Sequence, residues 1–531
     1  MQFVFGLLIA TWSWLLIAWL ALHWFILPHI QQWRAPIEAR ASRALGVTVK
    51  IGRIDVRSSG WVPGLELHDV VLLDSAQRVA LKLPRIVAAL SPRSLLAFDL
   101  RFEQLLIEGP ELDVRRDVQG RLFVAGLDFG GTGGSDDGRA ADWFFQQGEF
   151  VIRGGSLRWT DEQRGAAPLA LTDVQLVIRN TLRNHAIRLD ASPPVEWGDR
   201  FTVSGRFAQR LLERSGDWKR WSGSGYASLP RADVRELRRH VDLPFELSEG
   251  NGALRAWFDL QEGVPRVATV DVALREVSMR LAPDVEPLTV ERVEGRLEAR
   301  RDDDNVALAL RDFAFVTGDG VAWPRGDLSL GLKQRDGAAP TGGVFSAQRL
   351  DVGVMAQIAT RLPLGSTVRR LLDELKPQGL VSDLAAQWEG PVDAPDKYDV
   401  KAALSGVSFE SRNAREAHDV GRPGLRNAAI DLHANEAGGD ARISVANGAL
   451  DLPGVFAEQR VPLDQLSAAL SWKVDHAKGA GAGAEPKLSV MVKDARFANP
   501  DAHGELTAAW SSGDSADKAH GGRFPGRLEL D

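Results

Sequence analysis

From Val47 onward the apolar residues of this chain recur again and again at every second position. Val174, Leu176 and Ile178 alternate with Gln175 and Val177; Val270, Val272 and Leu274 with Asp271 and Ala273; Leu328, Leu330 and Leu332 with Ser329 and Gly331. Successive side chains of an extended backbone point to opposite sides, so this period predicts strands with one apolar and one wetter face. Glycine supplies the punctuation. The pattern Gly-x-Leu-x-apolar starts at Gly120, Gly252, Gly295, Gly326, Gly448 and Gly526, each reading as a strand that begins after a turn. The spacings are irregular, which describes a meander with variable loops and not a fixed-period solenoid.

Strand arithmetic narrows the architecture. At roughly one strand per 12 residues, positions 47–531 would hold about 40 strands, against about seven to nine in a sandwich domain. Even half that number overfills one sandwich, and no long Pro- or Ser-rich linker divides the chain. The expected fold is therefore mainly β: one long, curled antiparallel sheet forming an open groove, with a few short helices. Helices are expected at Ser91 to Leu96, at Arg231 to Val241, and as a pair at Val352 to Leu362 and Ser366 to Leu375. Gly130 to Gly138 and Lys478 to Glu485 read as flexible loops. So few helices cannot cover so much sheet. Either the sheet folds on itself or its inner face is kept for an apolar ligand.

The first 33 residues stand apart, for they contain no Asp, Glu, Lys or Arg. Phe3 to Leu27 is apolar apart from Gly6, Thr11, Ser13 and His23, and as a helix it would be about 37 Å long, enough to span a hydrocarbon core of about 30 Å. Trp12, Trp14, Trp19 and Trp24 decorate it, those near the ends suited to headgroup level. A cleaved signal peptide would have a shorter apolar core, a basic leader and small residues at a cleavage site, none of which is present. Residues 1–29 are therefore expected to be an uncleaved anchor. Ile30, Trp33, Ile37, Ala41 and Leu45 then recur at helical spacing before Gly46, predicting a juxtamembrane amphipathic helix over 30–46. Charge counting alone points the wrong way for export, since Arg34, Arg40, Arg43 and Lys50 all follow the span.

No reaction chemistry is legible. With no cysteine, the chain lacks disulfides, thiolate zinc sites, iron–sulfur clusters and thiol nucleophiles. It has no Gly-x-Ser-x-Gly elbow, phosphate loop or His-Glu-x-x-His, and its ten histidines never fall within four residues of one another. Gly479 to Ala484 formally matches Gly-x-Gly-x-x-Ala, but within a low-complexity tract that reads as linker. Asp302-Asp303-Asp304-Asn305 reads as a turn, because Ala307 stands where a calcium loop needs glycine. The net charge of −7, without a basic cluster, argues against nucleic acid. No catalytic residue, metal or cofactor is expected.

Several strings, in order, suggest a family. Leu106-Ile-Glu-Gly109-Pro110-Glu-Leu-Asp-Val114, then Asp117 and Gly120, resembles the Gly-Pro strand motif of AsmA-like proteins. Gly155-Ser-Leu157-Arg-Trp159-Thr-Asp161 with Leu171-Thr-Asp173, Leu375-Lys-Pro377-Gln-Gly379 with Trp388-Glu-Gly390, Pro423-Gly424, Asp451-Leu-Pro453-Gly-Val-Phe456, Pro462-Leu-Asp464 and Ala498-Asn499-Pro-Asp501 are similar to the YhdP branch. The resemblance covers nearly the whole chain. Members run much longer, and this chain stops inside a strand pattern at Leu528 to Asp531, so a truncated end is expected.

The resemblance implies a single-pass protein of the Gram-negative inner membrane whose periplasmic β-groove, akin to chorein-type bridges, carries phospholipid toward the outer membrane. The groove would occupy 47–390, with its helical insert near 351–376, and continue through 391–531. Candidate groove residues are Leu157, Trp159, Val174, Leu176, Ile178, Val270, Val272, Leu274, Leu328, Leu330 and Leu332; anchor residues are Phe3, Trp12, Trp14, Trp19, Trp24 and Leu27. The partners would be phospholipids, the inner membrane, and outer-membrane or periplasmic proteins. An alternative from another class is an assembly factor for the outer membrane that acts through partner contacts without conducting lipid. A membrane-anchored enzyme is the third and least supported class.

Overall fold

The computed structural model describes residues 27–45, 47–57, 64–73, 79–90, 102–125, 127–128, 139–240, 246–334, 339–392, 394–413, 422–453, 458–475, 487–512 and 526–531, with a few isolated positions before residue 27. The chain is mainly β: the described residues form 26 strands and few helices. It divides into two compact units, with the boundary inside residues 244–268.

Unit 1 contains β1 (Thr48–Arg57), β2 (Gly64–Leu73), β3 (Val79–Leu90), β4 (Phe102–Glu108), β5 (Glu111–Arg116), β6 (Leu122–Val124), β7 (Leu127–Asp128), β8 (Glu149–Asp161), β9 (Ala166–Asn180), β10 (Asn184–Ser192), β11 (Phe201–Ala208), β12 (Ser222–Asp233) and most of β13 (Glu246–Gln261). The ladder is antiparallel from β1 to β4 and from β8 to β13. It departs from the all-antiparallel expectation at one place. Both β4 and β5 run parallel to β8, one after the other along the same edge. The break between them is Gly109-Pro110, where Gly109 takes a φ of +61° and proline has no N–H to give the ladder. Ser156 N–H still donates to Pro110 O at 2.9 Å, so β8 passes the break without losing contact.

Unit 2 contains most of β14 (Val264–Arg280), then β15 (Leu288–Arg301), β16 (Asn305–Thr317), β17 (Ala322–Lys333), β18 (Gly342–Asp351), β19 (Gln378–Glu389), β20 (Lys397–Phe409), β21 (Gly424–Asn435), β22 (Gly438–Asp451), β23 (Arg460–Asp475), β24 (Lys487–Ala498), β25 (His503–Ser512) and β26 (Gly526–Leu530). From β15 to β26 every neighbouring pair is antiparallel. Strands reach 17 residues, longer than the spacing rule assumes, so fewer are needed to use up the chain. Short polar residues bend them: Asp312, Asp383, Asn427, Asn447 and Asp494 hold φ between 50° and 55°, a left-handed turn that Asp and Asn tolerate better than other side-chain-bearing residues. Register shifts accompany these turns in β16, β19, β21 and β24, as expected of bulges. Val407, Leu425, Ala428, Val445 and Leu463 form a buried cluster beside that line of bulges.

The helices are shorter than expected. A 3-10 turn, Leu27–Trp33, leads into α1 (Arg34–Leu45) in place of one continuous helix. Within unit 1 there follow α2 (Arg139–Gln146) and α3 (Val234–Leu237). The helix expected at Arg231 to Val241 shrinks to that one turn because β12 runs on through Asp233, pairing Ala232 with Gly252. In unit 2, α4 (Val352–Gln357) gives way to a 3-10 turn, Ala359–Arg361, and α5 (Ser366–Leu375) spans its expected range. Asp351 caps α4 by accepting from Gly353 N–H and Val354 N–H, and α5 stops at left-handed Lys376 because Pro377 cannot continue it. The helix expected at Ser91 to Leu96 and both expected loops lie outside the described residues.

Most of Phe3 to Leu27 also lies outside them, including Phe3, Trp14 and Trp19. Phe5, Trp12, Ile17 and Leu20 are described, all helical and all exposed, as is Trp24. Among the described residues no helix is long and apolar enough to cross a membrane.

Candidate apolar groove

Across the strands of unit 1, the directly paired positions form a row that is apolar from end to end. Ile54, Leu67, Ile86, Ile107, Ile152 and Leu176 stand in register on β1, β2, β3, β4, β8 and β9. Leu189, Val203, Ala227 and Ala256 carry the row on through β10 to β13. A slip of one residue in any pair would turn a whole strand's apolar set to the other face, so burial of the row helps fix the register. The first half of the row is deeply buried and the second half only partly so.

A cavity of about 420 Å³ opens over the buried half. Every described residue that lines it is apolar, among them Leu83, Ile107, Phe150, Ile152, Leu157 and Ile178. That volume lies within the range of about 300–1,000 Å³ usual for small-molecule sites, but this wall offers no polar group to orient a ligand. Two helices cover it. From α1 come Ile37, Ala41 and Leu45, and from α2 come Trp143, Phe144 and Phe145, with Phe144 packed edge-on against Phe150 at 4.5 Å.

The free edge of β1 is closed by side chains of the cover. Val49 N–H donates to Ser42 Oγ at 2.8 Å and Ile51 N–H to Glu38 Oε1 at 2.7 Å. Ile54 O accepts from Gln31 Nε2 at 2.6 Å and Gly52 O from Arg34 Nη1 at 3.1 Å. Together they satisfy backbone groups that an edge strand would otherwise leave open to pairing with another chain. They also hold the apolar stripe of α1 over the cavity.

Asp161 and His185 are buried in unit 1. Burial opposes the charge of Asp161, but hydrogen bonding and attraction from Arg116, with help from Arg164, outweigh it and hold the carboxyl below its usual range. His185, 1% exposed, stacks on Trp221 with ring centroids 3.9 Å apart, and burial lowers its pKa.

Unit 2 has a second row, and it is longer. Ala299, Leu308, Leu330, Phe345, Ala386, Val400, Ala434, Gly439, Trp472, Val490, Trp510 and Leu528 are paired in succession from β15 to β26. No polar side chain interrupts these twelve strands. On the other face, Ser329, Ser346, Lys401, His433, Asp440 and Ser471 lie in the neighbouring register, with Ser329 Oγ and Ser346 Oγ 2.6 Å apart and His433 Nε2 2.8 Å from Asp399. Most of the apolar row is half-buried, and Leu308 and Leu528 are more open at 47% and 58%. Within unit 2, then, no second layer of described residues covers it. The strip is thus a continuous apolar face that the rest of unit 2 leaves partly open to water.

The family model described as YhdP protein matches residues 1–519. The chain belongs to the YhdP family. No curated protein matches it.

In this YhdP-family chain the groove residues expected from sequence divide among three settings. Leu157, Leu176 and Ile178 line the cavity of unit 1. Leu330 stands in the row of unit 2, with Leu328 and Leu332 two residues to either side on the same face. Val174, 1% exposed, packs with Leu171 and Ala191 in a separate core cluster, Trp159 is half-buried opposite Val114, and on β14 Val270 and Val272 are half-buried while Leu274 is buried. Of the expected anchor, Trp12 and Trp24 are exposed. The sequence reading missed most of the cavity wall, including Ile86, Ile107 and Ile152, and the aromatics Phe345, Trp472 and Trp510. The same signal could have found Trp472, because Leu466 to Asp475 alternates as Leu328 to Leu332 does, whereas Ile107 and Ile152 sit in the continuous apolar runs Leu105 to Ile107 and Phe150 to Ile152, which do not alternate.

Proposed function

We propose that this chain carries phospholipid, its acyl chains lying on the apolar rows and its headgroup in water. In this reading it is anchored in the Gram-negative inner membrane by its first residues and works in the periplasm, moving lipid toward the outer membrane. It needs no catalytic residue and no cofactor.

The observation that carries the reading is the unbroken apolar row from Ala299 to Leu528, half-buried along most of its length and open at Leu308 and Leu528. Exposing two chains of about 16 carbons to water at about 0.8 kcal/mol per methylene costs about 25 kcal/mol, which forbids free diffusion between membranes. An apolar strip removes most of that barrier and, lacking polar anchors, lets a chain slide. Selectivity would then rest on chain packing more than on headgroup contacts, and direction on lipid gradients or on partners at either membrane.

Photocrosslinkers at Leu330, Phe345 and Val490 test it, with Ser346 and Ser489 on the other face as controls. Capture of phospholipid in cells from the first three positions and not from the controls is expected. Absence of lipid at all three would end the reading and favour an assembly role through protein contacts.

A further inference from the structure

The end of unit 1 from which the apolar amino-terminal residues depart carries a second apolar feature. The contacts of the cover give the direction: Ser42 meets Val49, Glu38 meets Ile51, Arg34 meets Gly52 and Gln31 meets Ile54. Going back along the chain therefore leads toward the Val56 end of β1. Register carries that end across the sheet, from Val56 and Leu65 through Phe150 and Ile178 to Ile187, Gly205, Gly225 and Phe258. Just beyond these residues lie three connections: the turn at 181–183, the segment 209–221 and the turn at 262–263.

These connections are stitched into one rim. Gln209 N–H donates to Arg183 O at 3.0 Å, Gly263 N–H to Trp221 O at 2.8 Å and Glu262 N–H to Ser222 Oγ at 2.9 Å, while Arg210 pairs with Glu262. From this rim Leu182, Leu211 and Leu212 project 84%, 68% and 97% exposed, with half-exposed Val264 beside them. Leu212 also holds a φ of +73°, a conformation that a branched side chain rarely adopts. Around the leucines the three connections carry Arg183, Arg210, Arg214, Lys219 and Arg220 against Glu213, Asp217 and Glu262, with Arg210 paired to Glu262, Arg220 to Glu213 and Arg214 to Asp142 of α2, so that the rim is a ring of charged pairs with a small excess of cations. Lys219 Nζ sits 5.6 Å above the Trp218 ring.

We propose that this rim docks on the surface of a bilayer containing anionic lipid, the same one toward which the exposed apolar residues Trp12, Ile17, Leu20 and Trp24 lead. Aliphatic tips would enter the acyl boundary while Arg and Lys side chains sit among the headgroups, the arrangement of interfacial anchors. The partner is a lipid surface and not a protein groove because the apolar tips are separate, fully projecting leucines set among cations. Docking at the rim would put the apolar cavity close to the bilayer. It holds or fails whether or not the rows conduct lipid.

The absence of native cysteine makes the test direct. Leu212→Cys and Leu182→Cys, each carrying a nitroxide, are compared in the full chain with Val195→Cys, a 79%-exposed site in the connection at the opposite end of β10 and β11. In vesicles of phosphatidylethanolamine and phosphatidylglycerol, collisions with oxygen should exceed those with a water-soluble nickel chelate at 182 and 212, and the ratio should reverse at 195. All three positions are so exposed that the labels remove no packing. Labels at 182 and 212 as open to the nickel chelate as 195, or shielded from both reagents as in a protein contact, would overturn the proposal.

Discussion

Trp388 stands directly across from Gly343 in the β18–β19 pair, and its indole fills the space a side chain at 343 would need: a Cβ there would lie 2.6 Å from Cζ2 and 2.8 Å from Cη2. Trp472 meets Gly439, and Phe258 meets Gly225, in the same way. Setting the largest rings over the smallest residues keeps the apolar face shallow where an ordinary pair would build a ridge, and it covers backbone that glycine leaves bare. Gly343→Ala should therefore cost about 1–3 kcal/mol, since the added methyl also meets Gly331 O, which cannot swing aside. Urea unfolding should show a lower midpoint with an unchanged slope. An unaltered midpoint would mean that the indole moves away freely.

Charge placed in the row should stop lipid without unfolding the sheet. Val490 is half-buried between Trp472 and Trp510, and Ser489 beside it is exposed on the other face. Val490→Asp puts a carboxylate where an acyl chain would lie, yet water can still reach it, so the stability change should stay near about 1 kcal/mol. Phospholipid co-purifying with the protein, measured by mass spectrometry, should fall steeply for Val490→Asp and stay level for Ser489→Asp. Equal losses from both would point to general damage and not to a lipid path.

The contrast between those two neighbours also marks how far the sequence could be read. Alternation such as Leu488-Ser-Val490 is a local property of an extended backbone, so strand type and the apolar face are legible, and Leu330, Leu157 and Leu176 fall in apolar sites. Which strands pair, and which residues of distant strands share a row, is set by turn geometry and bulges, and a single sequence does not display these. Asp312, Asp383 and Asn427 bend strands through a backbone conformation that leaves no trace in hydropathy, and the parallel pairing of β4 and β5 with β8 joins segments about 45 residues apart. Val174 shows the remaining ambiguity: alternation assigns it to an apolar face but does not distinguish a packed core from an open groove.

The side chains that close the edge of β1 make a separate prediction. Ser42→Ala or Glu38→Ala removes the acceptor for the N–H of Val49 or Ile51, both residues only 5% exposed. An unsatisfied buried donor costs about 1–3 kcal/mol, with the carboxylate acceptor expected at the upper end. Hydrogen exchange at the Val49 and Ile51 amides should accelerate well before global unfolding, because α1 would lift from the edge first. Exchange as slow as in the parent would show that apolar packing of Ile37, Ala41 and Leu45 holds the cover unaided.

Unit 1 should also weaken in mild acid, and the sign follows from His185. Its ring lies between Asn180 Oδ1 at 2.8 Å and Gln209 Oε1 at 3.2 Å, stacked on Trp221, and burial lowers its pKa from 6.5 against the opposing hydrogen bond that Gln209 Oε1 accepts from it. A lowered folded-state pKa means the unfolded chain takes up the proton first. The contribution is therefore fully present above about pH 6.5 and declines as pH falls toward the folded value, by at most about 1.4 kcal/mol per pH unit for one proton. His240, also lowered mainly by burial, adds in the same direction. The carboxylates held low by arginine, Asp161 among them, titrate further into acid and leave the window between pH 5 and 7 to the histidines. Melting followed by tryptophan near-UV dichroism should lose temperature across that window, and His185→Gln should flatten part of the slope while lowering stability at pH 7.5. A slope unchanged by the substitution would assign the whole effect to other groups.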